Sequence, residues 1–335
     1  MTTNKKTFFA VLISVVLLTI VFAAALMIGR YQITPVAFFE AITGSDNREI
    51  ERSIIVHLRL PRTIVAVLVG ISLSLSGLLY QETFQNMLIS PDLLGVSSGA
   101  GVGAAIAIVA GLSAALVGTF AFAFGIGTVV LTVLVSRIFR NRSSMTLVLS
   151  GIIVGGMAGA LLSFVKYLAD AESTLASITF WLMGSFENST MKDVWLLTPI
   201  VVVCLTVSFI IRWRINIVAL GYEEAQTKGI NYRFYRGLII VIATLLTAGS
   251  VAVAGTVGWI GLVIPHIVRK TVGRNTARTI PLCALFGAVF MVLVDILART
   301  FTAAEIPLSA VTGFFGTIVF VVILLVGKGG IFSHD

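Results

Sequence analysis

The chain has 335 residues, 58% of them hydrophobic and only 11% charged, with a mean hydropathy of +1.05. A soluble domain carries about 25% charged residues, so a water-facing globular surface is excluded over most of the length and the surface is read as lipid-facing. The formal net charge of +8 does not mark a nucleic-acid site. The basic residues sit in short clusters between apolar segments, the pattern that sets membrane topology.

Lys5 and Lys6 precede an apolar run from Phe8 to Ile28. That run is longer than a signal-peptide core and long enough to cross the hydrocarbon, so it is read as a retained first helix. Ten candidate spans follow the apolar pattern, at about 8–29, 62–82, 92–110, 115–136, 145–168, 193–212, 235–254, 257–271, 279–299 and 306–327. The third and eighth blur into reentrant-looking loops. The expected fold is an all-α polytopic membrane protein, one transmembrane domain over 1–335.

An even number of spans puts both termini on one side. Fifteen of the 23 Lys and Arg fall on that side, among them Lys5, Lys6, Arg137, Arg140, Arg142, Arg269 and Lys328. The termini are therefore expected in the cytoplasm. The eight on the other side include Arg59, Arg62 and Arg299. Interfacial snorkelling is one reading of these.

Gly95, Gly99 and Gly103 repeat every four residues, as do Gly151, Gly155 and Gly159, followed by Ser163. Each set lies on one helix face. It is read as a packing surface and as a smooth wall beside a wide pathway, two roles that can hold at once.

Most span centres lack the carboxylates, His or Lys that bind coupling ions. Asp295 is the main exception, and Arg299 stands one turn away as a salt-bridge partner. A proton-coupled transporter using Asp295 and Glu305 is the alternative reading. There is no phosphate-binding loop: Gly327-Lys328 lacks the preceding glycine and the following Ser or Thr. No catalytic constellation or metal-ligand cluster is legible, and Cys204 and Cys283 read as buried thiols. His57, His266 and His334 are scattered. Energy for any pumping must then come from another subunit.

The longest polar segment on the terminal side runs over about 213–235. Inside it, Tyr222 to Lys228 reads as a short helix bounded by Gly221 and Gly229. It is either a docking knob or a plain surface loop.

Several strings resemble the FecCD-type permeases, which import iron-siderophores, haem and cobalamin. They are Arg59-Leu60-Pro61-Arg62, Ser76-Gly77, Gln81, Asn86, Pro91 to Ala100 (PDLLGVSSGA), Trp181 to Ser185 (WLMGS), Leu220-Gly221 with Ala225 and Gly229, Gly258 to Arg269 (GWIGLVIPHIVR), and Asp295, Arg299, Glu305 and Pro307. The resemblance covers about 50–327. This chain departs from the family pattern at Met87, Lys228, Trp259, Ser309 and Ile318.

The resemblance implies ten helices per subunit with inverted halves (helices 2–5 and 7–10), paired into a twenty-helix homo- or heterodimer with its path at the interface. It implies two ATPase subunits that use ATP and Mg and seat on the segment Leu220, Gly221, Glu223, Glu224, Ala225, Lys228 and Gly229. No cofactor would bind the permease itself. It also implies an extracytoplasmic binding protein, whose glutamates would meet Arg59, Arg62 and Arg299. The glycine faces would line the path for a metal chelate, and Gln81 and Asn86 would help close its inner end.

Overall fold

The computed structural model describes residues 3–43, 48–139, 144–302 and 304–326. Arg140, Arg142, Lys328, His334 and position 327 at the end of the tenth expected span lie outside the described residues. Every regular element among the described residues is helical.

The first expected span is α1, Thr3–Met27. Two short helices follow that the hydropathy pattern did not announce, α2 (Pro35–Thr43) and α3 (Glu49–Ser53). A π-helical turn, Ile54–Arg59, joins α3 without a break to α4, Leu60–Phe84. The result is one helix of 36 residues, Glu49–Phe84, longer than the span predicted at 62–82. Pro61 falls within the first two positions of α4, but the helix runs through it from the preceding π turn.

The third span is broken. A 3₁₀ turn, Pro91–Leu94, leads through Gly95 (φ +80°) into α5, Val96–Val109. Two long helices then cross, α6 (Ala114–Ile138) and α7 (Ser144–Leu168). A ten-residue helix, α8 (Thr174–Met183), precedes α9 (Met191–Ile210), whose first turn is closed by a capping box between Thr190 and Asp193.

The polar segment folds as α10 (Arg212–Val218) and α11 (Tyr222–Thr227). The last four helices are α12 (Tyr232–Ala254), α13 (Ile260–Val272), α14 (Thr276–Thr300) and α15 (Leu308–Val326). Among the described residues, seven helices are long and apolar enough to cross a membrane. α5 and α13 rise only about 20 Å at 1.5 Å per residue, short of a hydrocarbon core of about 30 Å.

α4 is the hub, packed against α9, α12, α13 and α14. Its small residues explain how four neighbours fit. A Cβ on Gly77 would stand 2.0 Å from the Gly261 carbonyl oxygen, and one on Gly70 2.2 Å from that of Gly287. Ser74 Oγ donates to the Cys283 carbonyl at 2.7 Å, tying α4 to α14. By contrast α1, α6, α7 and α9 are largely exposed in the single chain, with Ile13, Val130, Ile152 and Val202 on their open faces. Such apolar surface is the form expected of a lipid-facing shell.

Candidate functional sites at the two ends of the bundle

One end of the bundle is built on charge. Arg62, in the first turn of α4, reaches across to two carboxylates. Its Nε donates to Asp295 Oδ1 at 2.7 Å. Its Nη1 and Nη2 donate to Glu305 Oε1 and Oε2 at 2.7 and 2.9 Å, a bidentate fork. Arg299 Nε lies 3.4 Å from Asp295 Oδ2, close enough for attraction but without hydrogen-bond geometry. The pair expected one turn apart therefore exists, but Arg62 is the closer partner of Asp295.

Arg299 and Arg59 perform a second task. Arg299 Nη2 donates to the Ala25 carbonyl at 2.6 Å. Arg59 Nη1 donates to the Leu26 and Met27 carbonyls at 2.9 and 2.7 Å, and its Nη2 donates to the Tyr31 carbonyl. Ala25, Leu26 and Met27 belong to the last turn of α1, where the helix dipole favours a cation, and Tyr31 lies in the segment that follows it. Arg59, Arg62 and Arg299 are all buried. The docking residues expected from the resemblance are thus brought together, but their guanidinium groups point inward and are engaged. They form a latch of α1, α4, α14 and the turn before α15.

A backbone clasp closes the same end beside the latch. Ser185 N donates to the Ala254 carbonyl and Leu308 N to that of Gly184, each at 3.0 Å. Gly184 (φ +74°) and Gly255 (φ +70°) touch. A Cβ on Gly255 would lie 2.3 Å from the Trp181 carbonyl oxygen. The strings around Trp181 and Gly258 thus meet in space. Trp259 holds φ at +70°, a region a bulky residue rarely adopts.

The opposite end is built on backbone geometry. α11 is stopped by a Schellman motif. Gly229 N donates to the Gln226 carbonyl at 2.9 Å, and Ile230 N to that of Ala225 at 3.0 Å. Gly229 supplies the required positive φ, +69°, and Gly221 enters α11 at +115°. Ala225 is buried, whereas Leu220, Glu223, Glu224 and Lys228 are exposed. The segment is a knob with a buried pin and a polar outer face.

The knob sits beside the end of α4. A Cβ on Gly221 would be 3.0 Å from Gln85 Nε2. Gln85 itself takes φ +54° as a non-glycine cap of α4. One turn back, Gln81 Nε2 donates to the Ile89 and Gly261 carbonyls at 3.2 and 3.1 Å, and its Oε1 accepts from Arg269 Nη2. Arg269 Nη1 donates to Glu82 at 3.2 Å. Gln81, expected at a gate, is a buried tie between α4 and α13. Asn86 is exposed, and its Oδ1 accepts from Leu88 N at 2.9 Å. Glu82, Gln85 and Arg269 were missed as a group. Their signal was faint: opposite charges at the same membrane edge of two predicted spans.

The two glycine faces part company. A Cβ on Gly99 would strike Thr128 Oγ1 at 1.8 Å, one on Gly103 the Phe120 carbonyl at 2.4 Å, and one on Gly151 the Leu93 carbonyl at 2.3 Å. Gly95 lies against Gly155. Gly95, Gly99, Gly103 and Gly151 make close packing contacts within the single chain. Gly159 has nothing within 4 Å and Ser163 is exposed, so only the C-terminal part of the α7 face is open.

An all-helical bundle latched by charge at one end and carrying a polar knob at the other is the build of a multi-pass membrane permease. The chain belongs to the FecCD transport family, which it matches over residues 17–326, a family of non-catalytic permease subunits of ABC-type importers. It is 37% identical over 319 residues to a molybdate import system permease protein, MolB, of Haemophilus influenzae, with 94% of each chain covered. It is 38% identical over 280 residues to a "probable iron chelatin transport system permease protein" of Helicobacter pylori, covering 82% of this chain and 83% of that one. A solved structure described as "an inward-facing conformation of a putative metal-chelate type ABC transporter" superposes with a TM-score of 0.86 at 35% identity. It covers 94% of this chain and 98% of that one.

Proposed function

We propose that this chain is the permease of an importer that carries ferric-siderophore or related metal-chelate cargo into the cytoplasm, powered by two separate ATPase subunits using ATP and Mg. The observation that carries the proposal is the knob from Leu220 to Gly229. Its fold is held by two glycine angles and one buried alanine, while Glu223, Glu224 and Lys228 are free to meet a partner. Pinned beside the end of α4, it can pass a partner's motion to the hub helix as a rigid-body displacement.

Under this reading the whole chain is one permease domain crossing ten times, with inverted halves, and two copies or paralogues pair around the path. The chain's start and the end of α15 then share the cytoplasmic face with the knob, in line with the Lys and Arg bias. A binding protein would dock at the opposite face. The buried state of Arg59, Arg62 and Arg299 supports an indirect part for them: they set the shape of the outer platform. The open part of the proposed pathway wall is Gly159 and Ser163.

The proton-coupled alternative has no separate observation behind it: Asp295 and Glu305 are both engaged by Arg62 in a tie between α4, α14 and the turn before α15. A second cargo reading has a specific observation behind it. The relative named for molybdate import matches over 94% of this chain, so a compact oxyanion competes with the chelate.

The deciding experiment reconstitutes the permease with its ATPase and binding protein in vesicles. ATP-dependent accumulation, stimulated by loaded binding protein, is expected. Accumulation by the permease alone on a proton gradient would overturn the reading. Elemental analysis of the loaded binding protein, iron against molybdenum, separates the two cargoes.

A further inference from the structure

A cleft of about 990 Å³ opens at the knob end between α6, the start of α7 and α12. Nothing in the importer mechanism uses it. Its walls are aliphatic, with Val130 and Leu134 on α6 facing Ile240 and Val241 on α12. Val130, Leu134 and Val241 are each more than half exposed, so the slot is open at the side. Its mouth holds three cations, Arg137, Arg233 and Arg236. No carboxylate pairs with any of them among the described residues.

Arg236 is the telling residue. Its Nε and Nη2 are shielded from solvent and have no hydrogen-bond partner. Its guanidinium carbon lies over the rings of Phe84 and Tyr232, 5.8 and 5.9 Å from their centroids. Ring faces offset part of the charge but accept no directed N–H bonds. A planar fork without a carboxylate partner at the cleft wall suits a phosphate oxygen pair, which it would meet by turning its shielded Nε–Nη2 edge toward the mouth.

An apolar slot at membrane depth with an anion-seeking mouth on the basic face has one matching occupant. We propose that this cleft binds an anionic phospholipid, its phosphate held by Arg236 with Arg233 and Arg137 and one acyl chain lying between α6 and α12. Basic pockets between transmembrane helices on that face are where such headgroups are drawn. Gly221 and Tyr222 also line the cleft, so a bound headgroup would touch the root of the knob. The inference rests on the membrane orientation proposed above and not on the cargo.

The test uses the full assembly, purified and exchanged into nanodiscs of phosphatidylcholine with or without phosphatidylglycerol. Native mass spectrometry of the released complex reads retained lipid. Phosphatidylglycerol should be retained over phosphatidylcholine. Arg236→Gln and Arg233→Gln should each weaken retention about fivefold, the factor for about 1 kcal/mol per basic residue. Val241→Trp should block the slot with every arginine intact. Because Arg233 is exposed, its variant stays informative if Arg236→Gln fails to fold. Equal retention of the two lipids would overturn the proposal, and so would full retention in Arg233→Gln and Val241→Trp. Displacement of phosphatidylglycerol by inorganic phosphate alone would reduce the site to a headgroup-free anion pocket. Cross-linking of Val241→Cys between two permease copies would assign the cleft to a protein interface. Either of these two results also overturns the lipid.

Discussion

The two ends of the bundle are held by opposite means. At the latch, Arg59, Arg62, Asp295 and Arg299 are buried, and together with Glu305 they are bonded to one another or to the end of α1. At the other end, the knob is shaped by two glycine φ angles, and its charges stay in water. A buried ion network is stiff, because moving one member strands another. A glycine-framed knob keeps its shape while leaving its charged groups free to recognise a partner. The contrast suits a permease gripped by a motor on one face and clamped on the other.

The largest effect should come from breaking the latch. Arg62→Ala leaves Asp295 buried and Glu305 half-buried without their main partner, which costs about 3–5 kcal/mol. Loss of monodisperse protein and a lowered unfolding temperature in detergent are expected. Charge reversal at Arg62 should therefore harm assembly before it harms docking. The triple variant Arg62→Met, Asp295→Leu, Glu305→Gln should recover most of the stability. If Arg62→Ala were as stable as the parent, the latch would not be structural.

Next comes the hub. Gly77→Ala places a methyl 2.0 Å from the Gly261 carbonyl oxygen. Backbone cannot rotate aside as a side chain can, so overpacking of about 1–3 kcal/mol is expected. A thermal-shift series with Gly77→Ala and Gly77→Ser should show the larger residue as the worse. Equal stability would mean that α4 and α13 slide apart freely.

At the knob the effect should move from stability to coupling. Gly221→Val and Gly229→Val each force a β-branched residue to positive φ, at about 1–3 kcal/mol of local strain. The bundle should survive, since α11 is outside it. ATP hydrolysis by the assembly should persist while cargo uptake falls. Uptake that stays tied to hydrolysis in both variants would remove the knob from the transmission path.

The sequence made the spans legible because lipid imposes a strong one-dimensional code. Each expected span overlaps a helix, seven of them among the described residues long and apolar enough to cross a membrane, and the two with blurred edges correspond to the shortest of these, α5 and α13. The small elements α2, α3 and α8 escaped, because nine-, five- and ten-residue helices leave too little periodicity to read. The candidate sites were legible as residues but not as contacts. Arg62 and Glu305 are 243 positions apart, and no local pattern couples them. What could have been noticed is a balance: a few intramembrane cations and carboxylates on the same face must pair, since unpaired charge there is expensive.

The smallest expected effect tests where that legibility ends. Gly99 and Gly159 look alike in sequence, each a member of a four-residue repeat on an apolar helix. Periodicity says which residues share a face, but not what stands opposite. In the fold, a methyl added to Gly99 would stand 1.8 Å from Thr128 Oγ1, whereas one on Gly159 would meet nothing within 4 Å. Gly159→Ala should thus be neutral or stabilising by about 0.5–1 kcal/mol, the gain of alanine over glycine inside a helix. Gly99→Ala should be clearly destabilising. In the assembled pair, Gly159 would face either the open path or the second permease. An alanine there that leaves the isolated chain stable but lowers uptake would place Gly159 at that boundary. If the two alanine variants behave alike in the isolated chain, the division of the glycine faces into packing and open parts fails.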